Sequence, residues 1–111
     1  MAKKSSPVGT IVADHMAERR ANSARVRKVQ AELQPFEELA RLVIVRRAAL
    51  GLTQQELADR MQSTKSVISR IESGQHRTNV DTLRRLAEAL GGHAVVGFQF
   101  GDEPTHELVR L

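Results

Sequence analysis

The sequence of 111 residues contains no cysteine, no tryptophan and no tyrosine, and only three phenylalanines. Without cysteine the chain can form neither disulfides nor thiolate metal sites, so nothing in it requires an oxidising compartment and we expect a cytoplasmic location. Because aromatic rings are so few, the core must be aliphatic. Their scarcity also counts against binding of single-stranded nucleic acid, in which bases stack on aromatic side chains.

Long apolar runs are absent as well. Ser5, Ser6 and Pro7 stand where a signal peptide would need an unbroken apolar stretch, and no later run approaches membrane-spanning length. We therefore expect no membrane partner. The length fits one compact domain with an appendage, since domains typically hold roughly 100 to 150 residues.

Signatures of catalysis and of metal binding are missing too. The histidines lie apart from one another, without the spacing of metal ligands: His15, His76, His93 and His106. The sequence has no phosphate-binding loop, and no nucleophile stands beside an evident base. We therefore expect no enzymatic activity, no metal ion and no cofactor.

The charge balance favours a partner rich in phosphate. Lysine and arginine number 17 against 13 acidic residues, which gives a formal net charge of +4 and a pI near 10.3. Each phosphate that a protein neutralises releases condensed counterions and so adds affinity for any sequence. A modest positive charge is also common in proteins that bind no nucleic acid, so charge alone does not decide.

The first third of the chain reads as a helical arm. Residues 12–33 are rich in Ala, Arg and Glu without Gly or Pro, which predicts a helix in one piece or in two pieces separated near Asn22 and Ser23. Pro35 is expected to end it. One face carries an apolar stripe made of Val26, Val29 and Leu33. The stripe is too narrow for a core helix, so the arm should pack on a partner or along the main domain.

Helical spacing continues through four segments between residues 36 and 92. They are expected at about 36–50, just after Thr53, at about 65–73, and from Asn79 to the pair Gly91-Gly92. The second and third are short enough for a helix-turn-helix. Ala58 is the small residue where the two helices cross, and larger apolar residues fill the space between them: Leu57, Met61, Ile68 and Ile71.

The opposite face of the third helix is short-chained and polar. It carries residues at i, i+3, i+4 and i+7: Ser66, Ser69, Arg70 and Ser73. Short side chains allow a helix to enter the major groove of DNA, where one long arginine can reach a guanine edge with two hydrogen bonds. Any helix face exposed to solvent is polar, however. The polar stripe therefore indicates DNA binding only in combination with the motif around it.

Two stretches carry a specific resemblance. They read LTQQELA at 52–58 and VISRIESG at 67–74. On these residues the chain resembles the Cro/C1-type (XRE) helix-turn-helix family over roughly residues 39–90. The resemblance implies a mainly α fold, a lambda-repressor-like helix-turn-helix bundle, here with an N-terminal helical arm and a short C-terminal β-strand. It also implies a transcriptional repressor that binds double-stranded DNA sequence-specifically.

The resemblance extends to particular positions. It implies that Gln54 contacts phosphate and braces the recognition helix, and that Arg47 pairs with Glu72. The first part of the recognition helix is implied to face bases or backbone: Thr64, Lys65, Ser66, Ser69 and Arg70. Gln62 departs from the family, which usually has Gly in this turn, where a left-handed conformation costs other residues about 1 kcal/mol or more.

The segments outside the motif resemble antitoxins of the HigA type. These proteins of type II toxin-antitoxin systems neutralise an RNA-cleaving toxin and repress their own operon. That resemblance implies a RelE/HigB-like ribonuclease as partner. A free-standing XRE-family regulator without a toxin would have much the same layout, so both functions stay open.

In the last segment, the spacing of apolar residues changes from the helical period to strict alternation. Residues 93–100 predict one strand, and no second strand is evident because the polar tail after it is expected to be loose. We expect three parts: 1–35, 36–92 and 93–111.

An unpaired strand needs a partner, and a symmetric copy is the commonest one. We therefore expect a homodimer on a palindromic operator, with Val96, Phe98 and Phe100 in its interface. The alternative is that this strand joins the toxin's sheet and that the arm, at Val26, Val29 and Leu33, forms the dimer.

Overall fold

The computed structural model describes residues 7–104 and 106–111, with side chains from residue 12 onward, so residues 1–6 of the expected 1–35 part lie outside the description. The elements are α1 (Pro7–Ala49), α2 (Gln54–Arg60), α3 (Lys65–Ser73), α4 (Val80–Ala89), β1 (Val95–Val96) and β2 (Val109–Arg110). The mainly α fold with a C-terminal strand is confirmed. Among the described residues, no helix combines the length and apolar character needed to cross a bilayer.

Helix α1 is longer than the sequence pattern indicates. The two-piece alternative and the expected end at Pro35 are both wrong, since one helix runs from Pro7 to Ala49. Asn22 remains helical, and its side-chain oxygen accepts a hydrogen bond from Arg25 one turn later. Pro35 cannot donate the backbone hydrogen bond that another residue would make to the Ala31 carbonyl, yet the helix continues on both sides of it.

The chain divides into two compact units between Glu32 and Leu33. In the N-terminal unit, every described side chain from 12 to 32 is exposed, Val26 and Val29 included. This part of the chain therefore has no apolar core of its own.

The core of the second unit is aliphatic and is built by α1, α2, α3 and α4. Leu57 and Ile68 are fully enclosed, and Ala58 is buried at the crossing of α2 and α3. The whole cluster has eight buried members: Val43, Leu57, Ala58, Met61, Ile68, Ile71, Leu86 and Leu90. The apolar spacing read from the sequence thus corresponds to the packed faces of the short helices.

Side chains cap each of the short helices at its N-terminus. Thr53 and Glu56 form a capping box on α2, in which the Glu56 carboxylate accepts the Thr53 backbone N–H at 3.0 Å. That hydrogen bond lowers the pKa of Glu56, so the box is intact at neutral pH and weakens as pH falls through this pKa. Thr64 caps α3 and Asn79 caps α4.

Left-handed residues end α1, α2 and α3. Gly51 follows α1 with φ 68°, and Gly74 follows α3 with φ 69°. Gln62, in the turn after α2, has φ 54° and is the one non-glycine residue with positive φ in the described chain. A Cβ at Gly74 would lie 2.9 Å from Glu37 Cα, whereas one at Gly51 would meet nothing within 4 Å. Gly74 therefore also lets the end of α3 approach α1.

The C-terminal segment forms a hairpin within the chain, which corrects two expectations. Only Val95–Val96 is strand, and it pairs antiparallel with Val109–Arg110 in the tail that was expected to be loose. Leu111 extends the pairing by donating its N–H to the Ala94 carbonyl at 2.8 Å. A strand of two residues contains too few positions to produce an alternating pattern, so the second strand has no signal in the sequence.

A polar network joins α1, α2 and α3. Arg47 donates two hydrogen bonds to Glu72, from Nε at 2.7 Å and from Nη2 at 2.9 Å, and a third from Nη1 to the Leu52 carbonyl at 2.8 Å. Gln54 Nε2 donates to the same Glu72 carboxylate at 3.1 Å. The side chains of Arg47 and Glu72 are only 19% and 7% exposed. The carboxylate raises the pKa of Arg47, chiefly through these hydrogen bonds, so the arginine stays charged.

We expect Gly74→Ala to destabilise the protein more than Gly51→Ala. The two glycines have nearly equal φ, so both changes incur a left-handed penalty of roughly 1 to 2 kcal/mol. Gly74→Ala should cost about 1 kcal/mol or more beyond that, because its Cβ meets the backbone of α1. Urea unfolding of both variants measures the difference. Equal losses would show that α1 moves aside freely.

Glu72→Gln should lower the free energy of unfolding by about 1 to 3 kcal/mol, between the values typical of exposed and buried pairs. The change keeps the shape of the side chain but leaves a largely buried guanidinium without its counter-charge. Glu88→Gln is the matched control, because it removes the exposed pair with Arg84 and should cost no more than about 0.5 kcal/mol. Thermal unfolding that ranks the two variants equally would contradict a stabilising role for the Glu72 network.

Candidate nucleic-acid interface

The outward face of α3 is polar and exposed. Five of the side chains expected to contact DNA are on this helix, and all five are exposed: Lys65, Ser66, Ser69, Arg70 and Ser73. The opposite face is anchored by Ile68 and Ile71, both buried in the core. Burial of one side fixes the orientation of α3 about its own axis. The polar residues on the other side are therefore exposed together.

Two cationic side chains on this face form no ion pair with another described residue. Within the described part of the chain, neither Lys65 nor Arg70 has an acidic partner, whereas Arg47 and Arg84 are held by carboxylates. An exposed arginine without an internal partner can offer its planar group to a guanine edge, and an exposed lysine can offer a point charge to phosphate. One short helix therefore carries both kinds of group on its exposed face.

Two hydroxyl groups of the expected set are occupied by backbone. Thr64 Oγ1 accepts the Val67 N–H at 3.3 Å, and Ser73 Oγ donates to the Arg70 carbonyl at 2.6 Å. Thr64 thus begins α3, and Ser73 lies in its last turn. Each hydroxyl helps define an end of the helix in addition to lying near its exposed face.

Gln54 lies at the first position of α2 and is half-buried. Its amide donates to Glu72 near the end of α3, so the structure brings Gln54, Arg47 and Glu72 together. A side chain at this place couples the start of one helix to the end of the other. The remaining expected residues are elsewhere: Val96, Phe98 and Phe100 belong to the C-terminal hairpin.

The loop after α3 adds residues that the sequence reasoning passed over. A cleft of about 200 Å³ places Arg70 beside this loop, and its lining includes His76, Arg77 and Asn79. His76 and Arg77, two basic residue types shortly after α3, are a visible signal in the sequence. The sequence alone predicts only a polar loop here, because loop sequences do not show which way their side chains point.

Comparisons with known proteins identify relatives of the helix-turn-helix segment. The helix-turn-helix family model HTH_3 matches residues 43–95. An uncharacterized HTH-type transcriptional regulator from Methanothermobacter thermautotrophicus is 40% identical over 50 residues, which are 45% of this chain and 72% of the relative. The crystal structure of the restriction-modification controller protein C.AhdI from Aeromonas hydrophila aligns with TM-score 0.46 and 31% identity, over 56% of this chain and 86% of that one.

A further relative matches almost the entire chain. The Mycobacterium tuberculosis protein named "Putative antitoxin HigA3" is 32% identical over 99 residues, which cover 88% of this chain and 90% of the relative. The alignment therefore reaches well beyond the helix-turn-helix. With this match, the family model and the fold, the chain belongs to the Cro/C1-type (XRE) helix-turn-helix family of DNA-binding transcriptional regulators and is HigA-like.

Proposed function

We propose that the protein is a homodimeric repressor that inserts α3 into the major groove of a palindromic operator. The observation that carries this proposal is the exposed face of α3, opposite a buried anchor of Ile68 and Ile71. On that face, Lys65 and Arg70 have no acidic partner among the described residues. One short helix makes too few contacts for specific repression. Two copies held about one DNA turn apart, roughly 34 Å, read a palindrome.

Each residue of the interface has a proposed role. Arg70 reads a base edge, and Ser66 and Ser69 make adaptable contacts beside it. Lys65 and Thr64 contact the phosphate backbone, as does Gln54, which already holds Glu72 through its amide. Ser73 belongs to the same DNA-contacting face and also supports the end of the helix through its hydrogen bond to the Arg70 carbonyl.

The dimer is proposed to form through the C-terminal segment at Val96, Phe98 and Phe100. These side chains are exposed even though β1 has found a partner strand within the chain. Large apolar side chains that are exposed next to one another favour association with another protein surface. The alternative dimer, through Val26 and Val29 of the arm and Leu33, is supported by the exposure of that valine pair.

We further propose that the protein is the antitoxin of a type II pair, acts in the cytoplasm, and neutralises a RelE/HigB-like ribonuclease. The support is the length of the similarity to the HigA3 relative, which includes sequence outside the DNA-binding motif. The alternative function is that of a free-standing XRE-family regulator. The two functions differ in whether a ribonuclease partner exists.

Co-expression tests the antitoxin role. A RelE/HigB-like ribonuclease encoded beside this chain should arrest growth alone, and the full-length protein should restore it. Arg70→Ala is the control, because a variant impaired only in base reading should still neutralise the toxin. Continued arrest despite soluble expression of the protein would favour the free-standing regulator.

We expect Arg70→Ala to relax the sequence preference at one position of each half-site. A bidentate contact to a base is worth roughly 1 to 3 kcal/mol of discrimination. Selection from a library of randomised double-stranded operators measures the preference directly.

Lys65→Ala provides the matched comparison on the same helix. It should weaken all sequences alike and reduce the magnitude of the slope of log affinity against log salt by about one, as expected for one phosphate contact. An unaltered preference in Arg70→Ala, or an altered preference with unaltered salt slope in Lys65→Ala, would reverse the assigned roles.

A further inference from the structure

An apolar groove of about 430 Å³ opens on the second unit, between the C-terminal half of α1, α4 and the hairpin. Its walls include Leu42 and Val80, which are 63% and 59% exposed, together with Val95 and Val96 of β1. Leu39, Leu83 and Leu111 continue the apolar lining. A contiguous exposed apolar surface of this kind usually marks a binding site.

The hairpin also carries an apolar projection. Phe98 and Phe100 are 77% and 72% exposed, and their rings stack with centroids 6.1 Å apart. We call these two residues the aromatic pair. They are two of the three phenylalanines in the chain, and both face water. One chain therefore displays both an apolar projection and an apolar groove.

We propose that the aromatic pair of each copy fills the groove of a second copy, in a reciprocal two-fold exchange. This inference rests on the homodimer proposed above and specifies its receptor surface. In a two-fold dimer, any contact from one copy to the other is made twice. A projection and a groove on the same chain are therefore both satisfied by one symmetry operation.

The volumes are compatible. A cavity of roughly 150 Å³ lined by aliphatic side chains holds one benzene molecule, so a groove of about 430 Å³ accommodates two phenyl rings. An aromatic side chain buries roughly 150 to 250 Å² in a full contact. Because each copy contributes one pair and one groove, a single association buries four aromatic side chains.

The position of the pair along the chain also suits an exchange. Val96 lies on the wall of the groove, whereas Phe98 and Phe100 follow it in the chain and line a separate hollow together with Val109. Charge favours the same arrangement: Asp102 and Glu103 follow the pair, and Arg46 lines the groove. These carboxylates would also keep the pair away from phosphate.

Complementation between two variants of the full-length chain tests the exchange. The pair variant is Phe98→Ser with Phe100→Ser, and the groove variant is Leu42→Glu with Val80→Glu. All four changed side chains are exposed, so folding should persist, and circular dichroism checks it. Sedimentation should show the dimer weakened at least 100-fold in each variant alone, because both contacts then lack one member.

An equimolar mixture should recover dimers, because the groove variant's intact pair can occupy the pair variant's intact groove. Val26→Glu with Val29→Glu is the control and should leave dimerisation unchanged. Because the chain has no cysteine, Phe100→Cys mixed with Val80→Cys offers a second readout. Oxidation should cross-link this mixture faster than either protein alone.

The remaining outcomes separate the exchange from the dimer itself. If only the pair variant loses the dimer, the aromatic pair meets its own symmetry mate and the exchange is overturned. If both variants lose the dimer and their mixture stays monomeric, the exchange is overturned as well. If neither variant weakens a dimeric parent, the dimer stands and the exchange falls. If the parent chain is a monomer at operator-binding concentrations, the proposed homodimer fails, and the exchange with it.

Discussion

The Glu72 carboxylate is the constraint on which the geometry of the interface depends. It is nearly enclosed, and it accepts hydrogen bonds from Arg47 at the end of α1 and from Gln54 at the start of α2. A carboxylate removed from water needs both a counter-charge and hydrogen-bond donors, so the three helices can meet in few arrangements. Because Glu72 lies on α3, those arrangements also decide where Lys65 and Arg70 point.

Much of the helical unit was predictable because its signals are local. Thr53, Asn79 and Gly74 mark helix ends through hydrogen bonds and conformations formed within a few residues. Apolar spacing identified Ile68 and Ile71 as the buried side of α3, and hence its polar residues as the exposed side. The positions of Arg47 and Gln54 were expected only by resemblance to the family, since residues 25 and 18 positions from Glu72 show no local pattern with it.

The features that were missed depend on structure distant in sequence. Pro35 is a local stop signal, yet one lost hydrogen bond does not end a helix with turns formed on both sides of it. The strand at Val109–Arg110 is too short for a pattern, and only its pairing with Val95–Val96 defines it. Likewise, nothing in the sequence indicates that Gly74 lies against Glu37, because that approach is set by helix packing.

The short connection between α2 and α3 has a kinetic consequence. Only four residues separate Arg60 from Lys65, so closing this corner loses little chain entropy, whereas joining Arg47 to Glu72 must close a loop of 25 residues. Leu57, Ala58 and Ile68 can therefore associate before α1 docks. In that order of assembly the Glu72 carboxylate remains hydrated until the Arg47 guanidinium arrives, so the folding chain never buries this charge alone.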